Sequence, residues 1–197
     1  MIHKGRIYLT WVIMNLIGFM LGSILGATNN GVVPIIIPGM LGILLGDLIF
    51  GATIGLAQWL ALRHSSPLAM SAWWIVASSF GFMLGARSGA LLTYRLVNEW
   101  LPPSVIFGVF MGGCISLATI WPLSQISAWP RSLGWIIISV PAWILGEGIA
   151  FAADFSQTTV PLVALTIGAI TGLELLRLQS NTTVPLTIWL QEEKNLE

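Results

Sequence analysis

Apolar residues along this chain come in six long runs, at about 7–28, 39–62, 72–94, 104–127, 133–152 and 160–178. Within a run they do not alternate with a period of two, and each run approaches or exceeds the roughly 20 residues that a helix needs to cross a bilayer. Turn-forming clusters separate the runs: Asn29-Asn30-Gly31 with Pro34 and Pro38, His64-Ser-Ser-Pro67, Asn98 to Pro103, Trp129-Pro130-Arg131-Ser132, and Asp154 to Thr159. A backbone in hydrocarbon must satisfy its own N–H and C=O groups, which leaves only helices or a closed barrel, and runs without alternation exclude the barrel. The pattern therefore predicts an all-α integral membrane protein with six transmembrane helices.

The odd-numbered runs are versions of one another. Trp11-Val-Ile-Met-Asn-Leu-Ile-Gly18-Phe-Met-Leu-Gly22 recurs as Trp74-Ile-Val-Ala-Ser-Ser-Phe-Gly81-Phe-Met-Leu-Gly85 and, more worn, as Trp135-Ile-Ile-Ile-Ser-Val-Pro-Ala142-Trp-Ile-Leu-Gly146. Each ladder of small residues runs one step further, to Gly26, Gly89 and Ala150. Among the even-numbered runs, one carries Gly51 and Gly55 with Gln58 and Arg63, and another Gly168 and Gly172 with Glu174 and Arg177. The fourth run keeps only Gly108 and Gly112 and continues to Ser116. The chain thus reads as three repeated helical hairpins, about 1–65, 66–129 and 130–180, in one domain 1–180, with a short interfacial or loosely ordered tail at 181–197.

Residues four apart share a helix face. Gly18/Gly22/Gly26, Gly81/Gly85/Gly89, the pairs Gly51/Gly55, Gly108/Gly112 and Gly168/Gly172, and Gly146 are therefore grooves that admit a neighbouring backbone. In lipid such close packing is a main source of helix association. Packing within the chain is the expected use; a ladder facing outward would instead dock another membrane protein.

The stretch Gly51-Ala-x-x-Gly55-x-x-Gln58-Trp59-x-x-Leu62-Arg63, followed by Ala72-Trp73-Trp74-Ile-Val-Ala-Ser-Ser, resembles a group of polytopic membrane proteins from cyanobacteria and some other bacteria that repeat this pair of motifs. The resemblance is strong over the first two units and weak over the third, and the fourth run lacks both the Gln-Trp pair and the basic end. It implies a helical membrane fold in a bacterial inner or thylakoid membrane, and no mechanism.

Composition agrees with the pattern. Hydrophobic residues make up 56% of the chain and charged ones 8%, with a mean hydropathy of +0.88; soluble domains are about 25% charged. Zero net charge points away from nucleic acid, and the lone Cys114 rules out an internal disulfide. The first span, behind Lys4 and Arg6, lacks a cleavage signature and is expected to stay as a helix. With both termini cytoplasmic, Lys4, Arg6, Arg63, Arg131, Arg177 and Lys194 fall inside and only Arg95 outside, which the positive-inside rule favours. On that orientation Trp11, Trp59, Trp73, Trp74, Trp121, Trp129 and Trp135 lie near the inner interface and Trp100 near the outer, so headgroup anchoring is their expected role rather than an aromatic ligand cage.

Ionisable groups at membrane depth are costly and mark candidate sites. Asp47, Arg87 and Glu147 fall in the outer half of three different spans, and Glu174 lies one turn from Arg177. Either Arg87 pairs with Asp47 or Glu147 and pins the bundle's register, or a leftover carboxylate holds a cation, proton or polar ligand in an outward cavity. Gln58 is the remaining buried polar candidate, as an interhelical hydrogen-bond partner or a ligand contact. The two histidines, His3 and His64, fall at loop positions, which leaves no metal site and no axial ligand for haem or chlorophyll inside the bundle. Gly85-Ala-Arg-Ser88-Gly89 departs from the rhomboid-protease motif at Ala86, and no embedded histidine could activate Ser88. No catalytic residue, phosphate loop or cofactor motif is present.

The leading expectation is a non-enzymatic accessory or scaffold subunit that works through helix contacts with the bilayer and other membrane proteins. The alternative is a small-molecule-binding or transport component, which resembles in build the substrate-binding subunits of vitamin transporters. A cavity lined by Asp47, Arg87 and Glu147 with aromatics favours the second; a solid core with an exposed ladder favours the first.

Overall fold

The computed structural model describes residues 2–28, 30–65, 71–96, 101–125 and 129–180. The tail expected at 181–197 and the turn residues Ser66, Pro67, Asn98 and Trp100 lie outside the described residues. The helices are α1 (Ile2–Gly26), α2 (Val32–Ile36), α3 (Met40–Ser65), α4 (Trp73–Leu96), α5 (Pro103–Ser124), α6 (Trp129–Ala152) and α7 (Val160–Ser180), and a 3₁₀ turn, Gln157–Thr159, precedes the last. All except α2 contain a stretch long and apolar enough to cross a membrane, and no strand occurs among the described residues. The single-turn α2 stands where turn residues were read. Pro34 is tolerated there because first-turn N–H groups have no helical partner, and Pro38 forces Ile37 into extended backbone that ends the turn. His64 lies in the last turn of α3, not in a loop.

Each long helix packs on the next, and α7 returns to α1, so the six close into a ring. Glycines set the spacing. A Cβ at Gly18 would lie 2.9 Å from Ile54 Cα and 3.1 Å from the Thr53 carbonyl oxygen. At Gly81 it would lie 2.8 Å from Ile115 Cα and 3.1 Å from the Cys114 carbonyl oxygen, the same contact one hairpin on. The other expected packing glycines do likewise. Gly22, Gly26, Gly51, Gly55, Gly85, Gly89, Gly108, Gly112, Gly146, Gly168 and Gly172 each face atoms of an adjacent helix in this chain. None of these ladders is left free for a partner.

The ring's axis is filled in layers, because side chains at successive steps of four project from one helix face. Trp11, Trp74 and Trp135 form the first layer, with centroids 5.8–6.4 Å apart in edge-on pairs. Each such pair contributes about 0.5–1.5 kcal/mol beyond its buried area. Each indole N–H donates to the helix before it in the ring: Trp11 to Thr171 Oγ1 (3.1 Å), Trp74 to Gln58 Oε1 (3.0 Å) and Trp135 to Thr119 Oγ1 (3.1 Å). These three residues are 0–3% exposed, so they form the core and not a headgroup belt. Trp73 and Trp121, both exposed, remain suited to anchoring. The next layers are Asn15/Ser78/Ser139, then Phe19/Phe82/Trp143, then Ser23/Ala86/Glu147, all buried.

The indole acceptors also set the register of the even spans. Gln58, Thr119 and Thr171 align, which matches Ile54 with Ile115 and Ile167, and Leu62 with Leu123 and Leu175. Gly51/Gly55 therefore correspond to Gly112/Ser116 and Ala164/Gly168, a shift of four residues from the alignment suggested by the Gly-xxx-Gly pairs. The glycine contacts agree: a Cβ at Gly51 meets the Ser78 carbonyl oxygen, and one at Gly112 meets that of Ser139. Facing away from the axis, Leu9, Ile13, Ile17, Leu84, Leu91, Leu145 and Leu173 are exposed, an apolar girdle suited to hydrocarbon.

Candidate functional site

At the end where α1 finishes and α3 begins, the ring opens into a cavity of about 390 Å3. Its floor is the third axial layer. Phe19 and Phe82 meet Trp143 at 5.6 and 6.1 Å, and Phe50 from α3 stacks on Phe82 at 4.5 Å. Phe107 and Phe155 also line the cavity. Beneath the floor lies a void of about 20 Å3 lined by Gln58, Ser78, Ser139 and Thr171, and the Trp11/Trp74/Trp135 layer follows. The cavity is thus a cup closed from below by two aromatic layers.

Asp47, Arg87 and Glu147 all line this cup. Arg87 pairs with Asp47: Nε lies 2.6 Å from Oδ2, while Nη2 makes the directional bonds, 3.3 Å to Asp47 Oδ1 and 3.2 Å to Thr28 Oγ1. The Asp47 side chain is 4% exposed and that of Arg87 27%, so the pair is held from the protein side and open toward the cavity. Glu147 belongs to the fourth axial layer and is 6% exposed. Among the described residues no hydrogen-bond donor or cation offsets its burial. Arg87 is committed to Asp47, and Glu147 is the carboxylate left over.

These charges sit where the units differ. Glu147 on α6 stands in line with Ser23 on α1 and Ala86 on α4, and Asp47 on α3 in line with Gly108 on α5 and Val160 on α7. Asp154 brings a further carboxylate to the cavity mouth. It follows α6 in a turn where Phe155 N–H donates to the Ala150 carbonyl (2.8 Å) and Asp154 N–H to that of Phe151 (3.3 Å). That pattern is a Schellman cap, whose left-handed position favours glycine. Here Asp154 occupies it, at φ 51°, and Phe155 follows at φ 53°. Non-glycine residues in that region carry strain and gather at functional sites. The turn-forming cluster Asp154 to Thr159 marks the end of the helix in the sequence, but two successive non-glycine residues give no sign of left-handed backbone before the structure is seen.

Gln58 lies outside the cup. It accepts from Trp74 and donates to Asn15 Oδ1 at 2.9 Å, as an interhelical link would. Glu174 lies at the opposite end, bound by Arg177 through Nε at 2.7 Å. Ser88 Oγ donates back to the Leu84 carbonyl.

No family model, curated protein or solved structure matches the chain.

Proposed function

We propose that this is a non-enzymatic, multi-pass membrane protein that binds a small molecule in the cup, as the capture component of a transport or sensing system. The carrying observation is the cup itself: a concave site with an aromatic floor and a few converging charges, one of them buried and unpaired. Binding sites are of this size and make-up, mostly apolar with a few placed polar groups. Scaffolding, the leading expectation from the sequence, depended on a glycine ladder left free, and the ladders are all taken up within the chain. Two closed aromatic layers beneath the cup argue for a receptor over an open channel.

Orientation and repetition belong to the same reading. Lys4, Arg6, Arg63 and Arg177 stand at the end away from the cup and Arg95 at the cup's end, so the positive-inside rule turns the cup outward and both termini to the cytoplasm. Three copies of one hairpin account for the recurring glycine contacts and the threefold Trp layer. The group resemblance adds a bacterial inner or thylakoid membrane as its place.

Native mass spectrometry of protein extracted gently from its own membranes tests the reading. The expected result is a small non-lipid adduct, lost in Ala86→Phe, which fills the cup beside Phe82. Absence of any such adduct, with a stoichiometric membrane partner in its place, would return the protein to the scaffold class.

A further inference from the structure

We infer that the cup selects an organic cation: a ligand with one positive centre, seated against Glu147, on an apolar or aromatic body that rests on the rings of Phe19, Phe82 and Trp143. The inference rests on the binding reading above and adds to it the sign of charge and the kind of body.

The ionisable residues lining the cup are Asp47, Glu147, Asp154 and Arg87, three carboxylates against one guanidinium. Arg87 is already spent on Asp47 through two of its nitrogens. An anion entering here would meet a surplus of carboxylate and no free basic group among the described lining residues. A cation would meet Glu147, which is more than nine-tenths buried and has no partner among the described residues. A carboxylate taken out of water is costly unless a counter-charge or hydrogen bonds compensate it. A bound cation supplies that compensation, and the protein holds the carboxylate ready for it.

The surface around that carboxylate is aromatic. Trp143, one turn before Glu147 on α6, joins Phe19 and Phe82 in the floor, and Phe50 stacks on Phe82. Aromatic faces attract cations through the ring quadrupole, most strongly in a desolvated setting and with Trp as the best partner. A carboxylate beside several aromatic faces is the chemistry that receives an alkylated ammonium, which offers charge without a strong demand for hydrogen bonds.

Among the described residues no three His, Cys, Asp or Glu side chains gather closely enough to hold a metal ion. A space of about 390 Å3 is also far larger than one ion requires and suits a compact organic molecule.

Isothermal calorimetry on the full chain in lipid nanodiscs, titrated with benzyltrimethylammonium, tests the inference. Benzyl alcohol serves as the uncharged counterpart and phenylacetate as the anionic one. The expected result is binding of the ammonium in preference to both. Glu147→Gln should weaken it by roughly thirtyfold, as loss of one member of a buried charge pair does, and Glu147→Asp by less. Thermal unfolding of each variant establishes that it is folded; should Glu147→Gln fail to fold, the order of the three probes on the unaltered chain decides. Tighter binding of phenylacetate or benzyl alcohol overturns the charge class while leaving the cup a binding site. Unchanged ammonium affinity in folded Glu147→Gln overturns the role of that carboxylate. If none of the three probes binds, the inference falls, and a native adduct from the membrane extract would still stand for the broader reading.

Discussion

Gly112 and Gly113 are neighbours on α5 at the same level of the bundle, yet alanine should act on them with opposite sign. A Cβ at Gly112 would come 2.7 Å from Val140 Cα, 3.0 Å from the Ser139 carbonyl oxygen and 3.2 Å from Trp143 Cβ. Carbon pairs prefer about 3.5–4.0 Å. Two of the obstructing atoms are backbone of α6 and cannot rotate away, so α5 and α6 must part by several tenths of an ångström. Forced overpacking of this kind costs about 1–3 kcal/mol. A Cβ at Gly113 meets nothing within 4 Å. There the change only removes the penalty of a glycine inside a helix, a gain of about 0.5–1 kcal/mol. For a chain of this size 1 kcal/mol moves Tm by roughly 2–4 °C. Gly112→Ala should therefore lower the unfolding temperature in micelles by about 2–12 °C, and Gly113→Ala should raise it by about 1–4 °C. Intrinsic Trp fluorescence reads both, since the buried Trp layer reports on the ring. Shifts of the same sign and size in the two variants would refute the claim that the glycines set helix spacing by face rather than by composition.

Gln58→Leu strands two buried groups, the Trp74 indole N–H and the Asn15 carboxamide oxygen, at about 1–3 kcal/mol each. Its Tm should fall, and adding Trp74→Phe should not lower it by a further comparable step, because the stranded donor leaves with the indole; strictly additive losses in the melting curves would count against the link. Asp154→Gly relieves the left-handed backbone at the end of α6 and should raise Tm, with a gain of about 0.5–1 kcal/mol; a lower Tm would show that the turn is held by the carboxylate and not strained by it.

Much of the architecture was legible in advance. The six spans follow from hydropathy, since a bilayer leaves a long apolar run one regular option. In the structure each ladder glycine faces atoms of a neighbouring helix. The sequence marks Asp47, Arg87 and Glu147 one by one as charges within apolar runs and leaves their convergence open; in the structure they line one cavity. Other features were not legible. Trp11, Trp74 and Trp135 were read as anchors from their depth, yet they meet on the ring axis. A membrane helix is apolar on every side, so hydrophobicity does not say which face turns inward. Gly-xxx-Gly does not fix the register of the second, fourth and sixth runs for a related reason: it recurs in two phases. The recurring Ile54/Ile115/Ile167 and Leu62/Leu123/Leu175 carried the better signal.

By itself, then, the amino-acid sequence determined the six long helices and their apolar surface, but not the single-turn α2. Each of these depends on one helix at a time, on its length, its hydropathy and its small residues. Closure of the ring decided the rest. It turned Trp11, Trp74 and Trp135 into a core, committed Arg87 to Asp47, left Glu147 buried with no partner among the described residues, and gathered Phe19, Phe50, Phe82 and Trp143 beneath it. Those outcomes depend on which faces of several helices meet, and packing between helices settles that where hydrophobicity is the same all round.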